Sequence, residues 1–353
     1  MDIQEQLELD SLFAAIEQSI QQEVPGVSVR QIFESLMNGT FEFDLVSFFS
    51  QILQPLYGEI AVQCTFLGQM ILLAVLYALL RRMSADFSGN LQELCALMMR
   101  SIAILLLLQS GTAVFSYVQE VLLRLANLMQ ILLPVQLTLM TLLGNIQTAG
   151  LLEPSLMLIV QLAVWCFHTI LLPVVTMEFI LKLVNSFHNT FKLNGLANFF
   201  RKLTLTGIAF STMLFLAVLS IQGIGGHILD SLSLRTVKYV AGNAIPVVGG
   251  TLSGLVETLM SGAVMIKNAV GLIGLLAVIV LTVLPAMKIL LIYFMYSFTA
   301  ALLQPVGDDG ITNLLEQTAG SFVLLFAIVA LTGVFFFFMI LIVLAAGGAV
   351  LGG

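Results

Sequence analysis

Charged side chains are scarce in this chain of 353 residues. Aspartate, glutamate, lysine and arginine make up 9% of it, whereas a soluble domain carries about 25%. Hydrophobic residues make up 59%, and the mean hydropathy is +1.07. No basic tract is present, which argues against a nucleic-acid-binding protein. The composition therefore predicts an all-α polytopic membrane protein surrounded by membrane lipid.

The residue types that carry most enzymatic chemistry are also scarce. Cys64, Cys95 and Cys166 are far apart in sequence and form no CxxC motif, so no disulfide framework is indicated. The sequence contains no GxxxxGK, HExxH or GxSxG motif. The Gly-Asp-Asp-Gly run at 307–310 lacks the second membrane carboxylate of an aspartyl protease. We therefore expect no enzymatic activity, no catalytic residue, no metal and no cofactor.

Acidic residues are concentrated at the N-terminus. Residues 1–59 hold ten acidic residues and one basic residue, Arg30, whereas the remainder holds ten acidic and twelve basic residues. The apolar spacing in 1–59 predicts three amphipathic helices, of which the second begins after an N-cap at Ser28. We interpret 1–59 as an extracytoplasmic helical region and 60–353 as the membrane domain. The N-terminal helices either pack on the membrane domain or a partner, or form a self-contained cap.

Hydropathy predicts about seven transmembrane helices, at 61–80, 94–118, 154–181, 204–224, 268–287, 289–307 and within 321–348. Arg81-Arg82 places the end of the first span in the cytoplasm by the positive-inside rule. The N-terminus is then extracytoplasmic and the C-terminus cytoplasmic. The same reasoning places Lys288 inside and Asp308-Asp309 outside. It also favours a non-crossing or re-entrant region at 119–153.

Two acid–base pairs lie four residues apart, which is the spacing of neighbours on one helix face. They are Glu120 with Arg124 and Glu178 with Lys182. Glu120 and Arg124 could neutralise each other. Because charges are costly at membrane depth, Glu178 and Lys182 are either a local ion pair at a helix end or part of a functional site.

The segment 223–271 combines glycine and proline with isolated charges, which is unusual for a spanning helix. We expect an irregular first half and a helix from residue 251. Its candidate path-lining or partner-contact residues are Arg235, Lys238, Asn243, Pro246, Gly249, Gly250, Gly254, Glu257, Lys267 and Asn268. For Gly250 and Gly254 close helix packing is the favoured role. Glu257 and Lys267 indicate either a functional contact or an internal ion pair.

The same segment carries a family resemblance. The runs 238–249 (KYVAGNAIPVVG) and 264–271 (VMIKNAVG), followed by LPAMK at 284–288 and LQPVG at 303–307, resemble the stage III sporulation protein AE family. The resemblance implies a membrane component of a secretion-like transenvelope channel, located in the mother-cell membrane around the forespore. It also implies partners from the same operon, including a secretion-type ATPase and ring-forming subunits, and a partner in the forespore membrane.

Members of that family usually begin with a signal sequence. Here Met1 is followed by acidic residues rather than a basic and apolar leader. We expect that the signal peptide has been removed or that this member departs from the family pattern.

Two other functions fit the sequence. Broken helices near the membrane midplane are typical of secondary transporters, so a permease-like transporter of small molecules is one alternative. A membrane scaffold that transports nothing is the other. Solute movement by the chain alone would distinguish the permease from both the channel component and the scaffold.

Overall fold

The computed structural model describes residues 3–40, 45–83, 89–187, 193–222, 249–306 and 309–348, and these residues form helices and turns with no strand. The α-helices are α1 (Ile3–Ile20), α2 (Val29–Met37), α3 (Leu45–Met83), α4 (Gly89–Leu142), α5 (Ile146–Val164), α6 (Leu172–Asn185), α7 (Asn194–Gln222), α8 (Gly249–Leu303) and α9 (Asp309–Gly348). A π-helical segment, Trp165–Leu171, joins α5 to α6, and a 3-10 turn, Gln304–Val306, follows α8.

Among the described residues, six stretches are long and apolar enough to cross a membrane, close to the seven expected. They are Leu56–Leu80, Leu94–Leu142, Ile146–Asn185, Asn194–Val218, Gly262–Leu303 and Gly310–Ala346. Several exceed what one crossing needs. The stretch in α4 has 49 residues, which is about 73 Å of helix against a hydrocarbon thickness of about 30 Å. The bundle is therefore taller than a bilayer core unless its helices are strongly tilted.

Two expected chain breaks are absent. The spans placed at 268–287 and 289–307 form one helix, because α8 continues through Pro285. Likewise, α4 continues through Glu120 and Arg124 to Leu142. A turn with Gly144 at φ 82° then reverses the chain into α5, a conformation that costs little only in glycine. Thus 119–142 is the second half of a long helix, and the reversal comes at its end.

Contacts between the long helices fix their relative directions. Glu59 of α3 meets Lys288 of α8, and Phe66 of α3 stacks on Tyr296 of α8, so α3 and α8 run parallel. A Cβ added at Gly310, in the first turn of α9, would lie 2.9 Å from Nε of Arg100. The α8–α9 connection therefore lies at the same end of the bundle as the α3–α4 connection.

This arrangement corrects two side assignments. Lys288 was expected on the side opposite the N-terminal region, but its ammonium contacts Glu59. Asp308-Asp309 was expected on the side opposite Arg81-Arg82; Asp308 lies outside the described residues, but Asp309 begins α9, whose first turn lies beside Arg100 at the α3–α4 end. Both errors follow from dividing α8 into two crossings.

Close helix approach in the core depends on small residues. The longest antiparallel pair is α8 with α9, and a Cβ added at Gly333 would lie 2.1 Å from Cγ2 of Thr282. One added at Gly274 of α8 would lie 2.3 Å from Cδ2 of Leu132 in α4. Small residues let helix backbones approach in this way where lipid supplies no hydrophobic driving force.

Proline explains the π-helical segment between α5 and α6. Pro173 lies two residues after the last residue of this segment, in the first turn of α6. Its ring removes one amide donor and would clash with the carbonyl four residues earlier in a regular helix. The wider π turn gives that carbonyl more space, so one continuous helical element of 40 residues results.

The N-terminal helices pack on the bundle. Leu12 and Ile16 of α1 are 1% exposed, and Phe13 packs against Phe33 of α2 with ring centroids 5.0 Å apart. Ser28 accepts a hydrogen bond from the Gln31 amide at 3.4 Å and caps α2. Both helices contact α4 or α8. The border placed between residues 59 and 60 lies inside α3, without a linker.

Candidate functional site

An open cavity of about 680 Å³, lined by both polar and apolar side chains, lies between α3, α4 and α8. Its walls come from apolar helices, yet many of the side chains that line it are polar. Those supplied by α3 are Glu59, Gln63, Thr65 and Gln69, those from α4 are Gln109, Ser110 and Tyr117, and Lys288 comes from α8. Polar groups are costly in apolar surroundings unless they are paired or hydrated. Their concentration on three facing helices makes this cavity the main candidate site.

An ion pair joins two walls of the cavity. Lys288 Nζ lies 3.0 Å from Glu59 Oε2, and the two side chains are 32% and 15% exposed. The same ammonium lies 4.5 Å from the ring centroid of Tyr117 in a cation–π arrangement. The pair therefore holds α3, α4 and α8 together while leaving part of each charge accessible from the cavity.

Gln63 extends the pair along α3. Its Nε2 donates to Glu59 Oε1 at 2.9 Å, so both carboxylate oxygens have partners. Gln63 is 5% exposed, and its Oε1 has no hydrogen-bond partner among the described residues. On the α4 wall, Ser110 accepts a hydrogen bond from Tyr296. The cavity thus offers one unused buried acceptor near a partly exposed ammonium.

Tyr117 connects the cavity to the N-terminal helices. Its hydroxyl donates to the Glu23 carboxylate at 3.1 Å, and Arg124 Nη2 lies 3.1 Å from Glu23 Oε1. The contact with the predicted partner is longer, because Arg124 Nε lies 4.0 Å from Glu120 Oε1. The Arg124–Glu23 contact is off the line of an ideal hydrogen bond, so it is best described as an ion pair. Arg124 therefore contacts Glu23 more closely than the residue four positions away.

A second polar cluster lies between α6 and α9. Glu178 and Lys182 are in contact and buried. Ser321 of α9 donates to Glu178 Oε2 at 2.5 Å, and Lys182 donates to the Gln317 carbonyl at 3.2 Å. The pair is therefore a link between two helices rather than only an intrahelical contact.

Lys267 lies in the α8–α9 interface and is fully buried. Its Nζ donates to the Leu344 carbonyl at 3.0 Å, and no carboxylate of the described side chains lies within 4 Å of it. The neighbouring Asn268 is exposed. Neither residue lines the cavity.

The structure describes four of the eight remaining candidates of the segment 223–271. Arg235, Lys238, Asn243 and Pro246 lie outside the described residues. The other four, Gly249, Gly250, Gly254 and Glu257, belong to the first turns of α8. The cavity therefore contains none of the described candidates from this segment.

Sequence reasoning missed the cavity residues, although a signal for them exists. Glu59 and Gln63 are four residues apart on α3, as are Thr65 and Gln69. This spacing places polar side chains along one side of a helix that was interpreted as uncharged and apolar from residue 61. In the part of the chain that is described, no group of three histidine, cysteine or acidic side chains is arranged to hold a metal.

Comparisons with known proteins give a consistent result. The family model described as stage III sporulation protein AE matches residues 27–347. A protein of Bacillus subtilis (strain 168) named stage III sporulation protein AE is 26% identical over 299 residues, covering 84% of this chain and 75% of that protein. No solved structure matches the chain.

Proposed function

Because this chain belongs to the stage III sporulation protein AE family, we propose that it is a membrane component of a secretion-like channel from mother cell to forespore. The family supports a role in sporulation, and the six apolar helical stretches support a multi-pass membrane protein. The observation that carries the channel proposal is the cavity between α3, α4 and α8. A scaffold needs no charged, partly exposed cavity among apolar helices, whereas a solute path does.

We assign the orientation of the bundle from its basic residues. Arg81 and Arg82 end the first span, Arg100 lies at the same end, and Lys182 and Arg201 flank Gly320 near the start of α9. The positive-inside rule makes this end cytoplasmic and the N-terminal helices extracytoplasmic. Since α9 begins at the cytoplasmic end and runs away from it, its C-terminal end is extracytoplasmic. This replaces the cytoplasmic C-terminus expected from seven crossings.

The partners proposed for the chain follow from the family resemblance. They are a secretion-type ATPase at the cytoplasmic end, ring-forming subunits of the same operon, and a partner in the forespore membrane. The N-terminal helices would face the space between the two membranes, where such a partner could be reached.

Spore formation by the native host tests whether the cavity matters. In a strain lacking the gene, the wild-type gene should restore the number of heat-resistant spores. A gene carrying Lys288→Met or Glu59→Gln should give at least about tenfold fewer heat-resistant spores than the wild-type gene. The control is Lys202→Met, which removes an exposed base outside the cavity. Membrane levels of each variant are compared by immunoblot. Wild-type spore counts for both cavity variants would contradict the proposal.

A permease-like transporter is the second candidate, and the cavity also favours it. The two functions differ in what the lone chain does. Purified chain in proteoliposomes should show no solute flux if it works only within a channel complex. Flux by the chain alone that Lys288→Met abolishes would instead establish the permease.

A further inference from the structure

We infer that the cavity between α3, α4 and α8 binds a small zwitterionic solute, with its anionic group at Lys288 and its ammonium group at Glu59 and Gln63. This inference rests on the proposal that the cavity lies on a solute path, and it names the class of molecule that enters. Its basis is the charge, burial and hydrogen-bonding capacity of three side chains.

Opposite charges balance each other in the cavity. The cavity is lined by one acidic side chain, Glu59, and one basic side chain, Lys288. Their charged atoms are 3.0 Å apart. An anion attracted to the ammonium is repelled by the adjacent carboxylate, and a cation meets the reverse. A zwitterion avoids both penalties, because each of its charged groups faces the opposite charge.

Part of the hydrogen-bonding capacity of the cavity wall is unused. The Lys288 ammonium has three N–H donors; one position is taken by Glu59 Oε2, and the Tyr117 ring covers another direction. Gln63 Oε1 is a buried acceptor in the cavity wall without a partner in the described structure. Buried acceptors of this kind normally have a donor. A solute ammonium near Glu59 supplies that donor, while the solute's anionic oxygen accepts from Lys288.

The space beside the ion pair is large and has polar groups on two of its walls. Gln69 and Gln109 provide both donors and acceptors on the α3 and α4 walls. A volume of about 680 Å³ is much larger than a single amino acid and leaves room for hydrating water. The cavity therefore has room for a zwitterion with a side chain, beside both the polar and the apolar side chains that line its walls.

Binding is tested by isothermal titration calorimetry of the full chain in detergent micelles with four matched probes. Glutamine carries both charges, N-acetylglutamine only the negative charge, glutaminamide only the positive charge, and glucose carries none. We expect glutamine to bind at least tenfold more tightly than the other three. Equal affinities, no glutamine binding, or tighter binding of glucose would overturn the inference.

Variants connect the preference to the ion pair. Glu59→Gln should weaken glutamine at least tenfold and strengthen N-acetylglutamine, because repulsion of the anion is removed. Lys288→Met should weaken glutamine and strengthen glutaminamide. These gains of binding also show that the variants are folded, and Lys202→Met should change nothing. A glutamine preference that survives in both cavity variants would show that the pair does not select the solute.

Calorimetry in detergent separates this inference from the channel proposal. Selective binding of glutamine combined with wild-type spore counts for the cavity variants refutes the role of the cavity in sporulation and leaves the ligand class standing. Loss of spores in those variants without glutamine binding refutes the ligand class and leaves the channel role standing.

Discussion

Removal of one member of the buried Glu178–Lys182 pair should destabilise the protein far more than removal of both. In Lys182→Met, the Glu178 carboxylate stays fully buried and keeps only the hydrogen bond from Ser321 at 2.5 Å. An uncompensated buried charge of this kind costs about 3–5 kcal/mol. At 1.36 kcal/mol per tenfold change, that lowers the folding equilibrium constant by roughly two to four orders of magnitude.

The double variant Glu178→Gln/Lys182→Met removes both charges and keeps the approximate volume of the side chains. The amide introduced at position 178 still offers an oxygen to the Ser321 hydroxyl. Replacement of a whole buried ion pair is often neutral or stabilising, so the free energy of unfolding should lie within about 1–2 kcal/mol of the wild type. The single variant is therefore expected to be less stable than the double variant.

The assay is equilibrium unfolding in mixed detergent micelles, followed by circular dichroism as the fraction of denaturing detergent rises. Glu34→Gln is the matched control, because it disrupts the exposed Arg30–Glu34 pair, which contributes less than about 1 kcal/mol. If Lys182→Met and the double variant unfold together at the wild-type midpoint, the cluster does not hold α6 to α9 and the reasoning fails.

Three further predictions concern packing, docking and topology. Gly333→Ala should lower the free energy of unfolding by about 1–3 kcal/mol, because its Cβ would lie 2.1 Å from Thr282. Gly262→Ala should not, because nothing lies within 4 Å of a Cβ at that position. Equal unfolding midpoints for the two variants would contradict the close approach of α8 and α9. Glu23→Gln should weaken docking of the N-terminal helices by about 1–3 kcal/mol and raise their rate of limited proteolysis. An unchanged rate would show that the contacts of Glu23 with Arg124 and Tyr117 do not hold the N-terminal helices on the bundle. Cysteines at Ser19 and Asn198 should react with a membrane-impermeant reagent from opposite sides, and reaction from one side would overturn the orientation.

The sequence predicted local features well because their signals lie within a few residues. The Ser28 cap and the buried face of α1 follow directly from spacing and side-chain chemistry. The Glu178–Lys182 contact also follows from a spacing of four residues. In each case the partners are one or two helical turns apart, so no knowledge of the tertiary fold is needed.

Contacts between distant parts of the chain could not be predicted in this way. Tyr117 and Glu23 are 94 residues apart, and spacing gave no reason to connect them or to pair Glu59 with Lys288. Two spans were expected to meet at residue 288, close to Pro285, although helix α8 continues through this proline. Proline is tolerated inside membrane helices when neighbouring helices and local adjustments satisfy the freed backbone groups.

A charge swap tests most directly whether the Glu59–Lys288 pair makes the cavity functional. Heat-resistant spores are counted in the native host for Glu59→Lys, for Lys288→Glu and for the two together. We predict that each single change reduces the count at least tenfold, because two like charges then face each other where the native pair of opposite charges is 3.0 Å apart. The combined swap should restore a substantial part of the count. Full spore formation by both single variants would contradict the account.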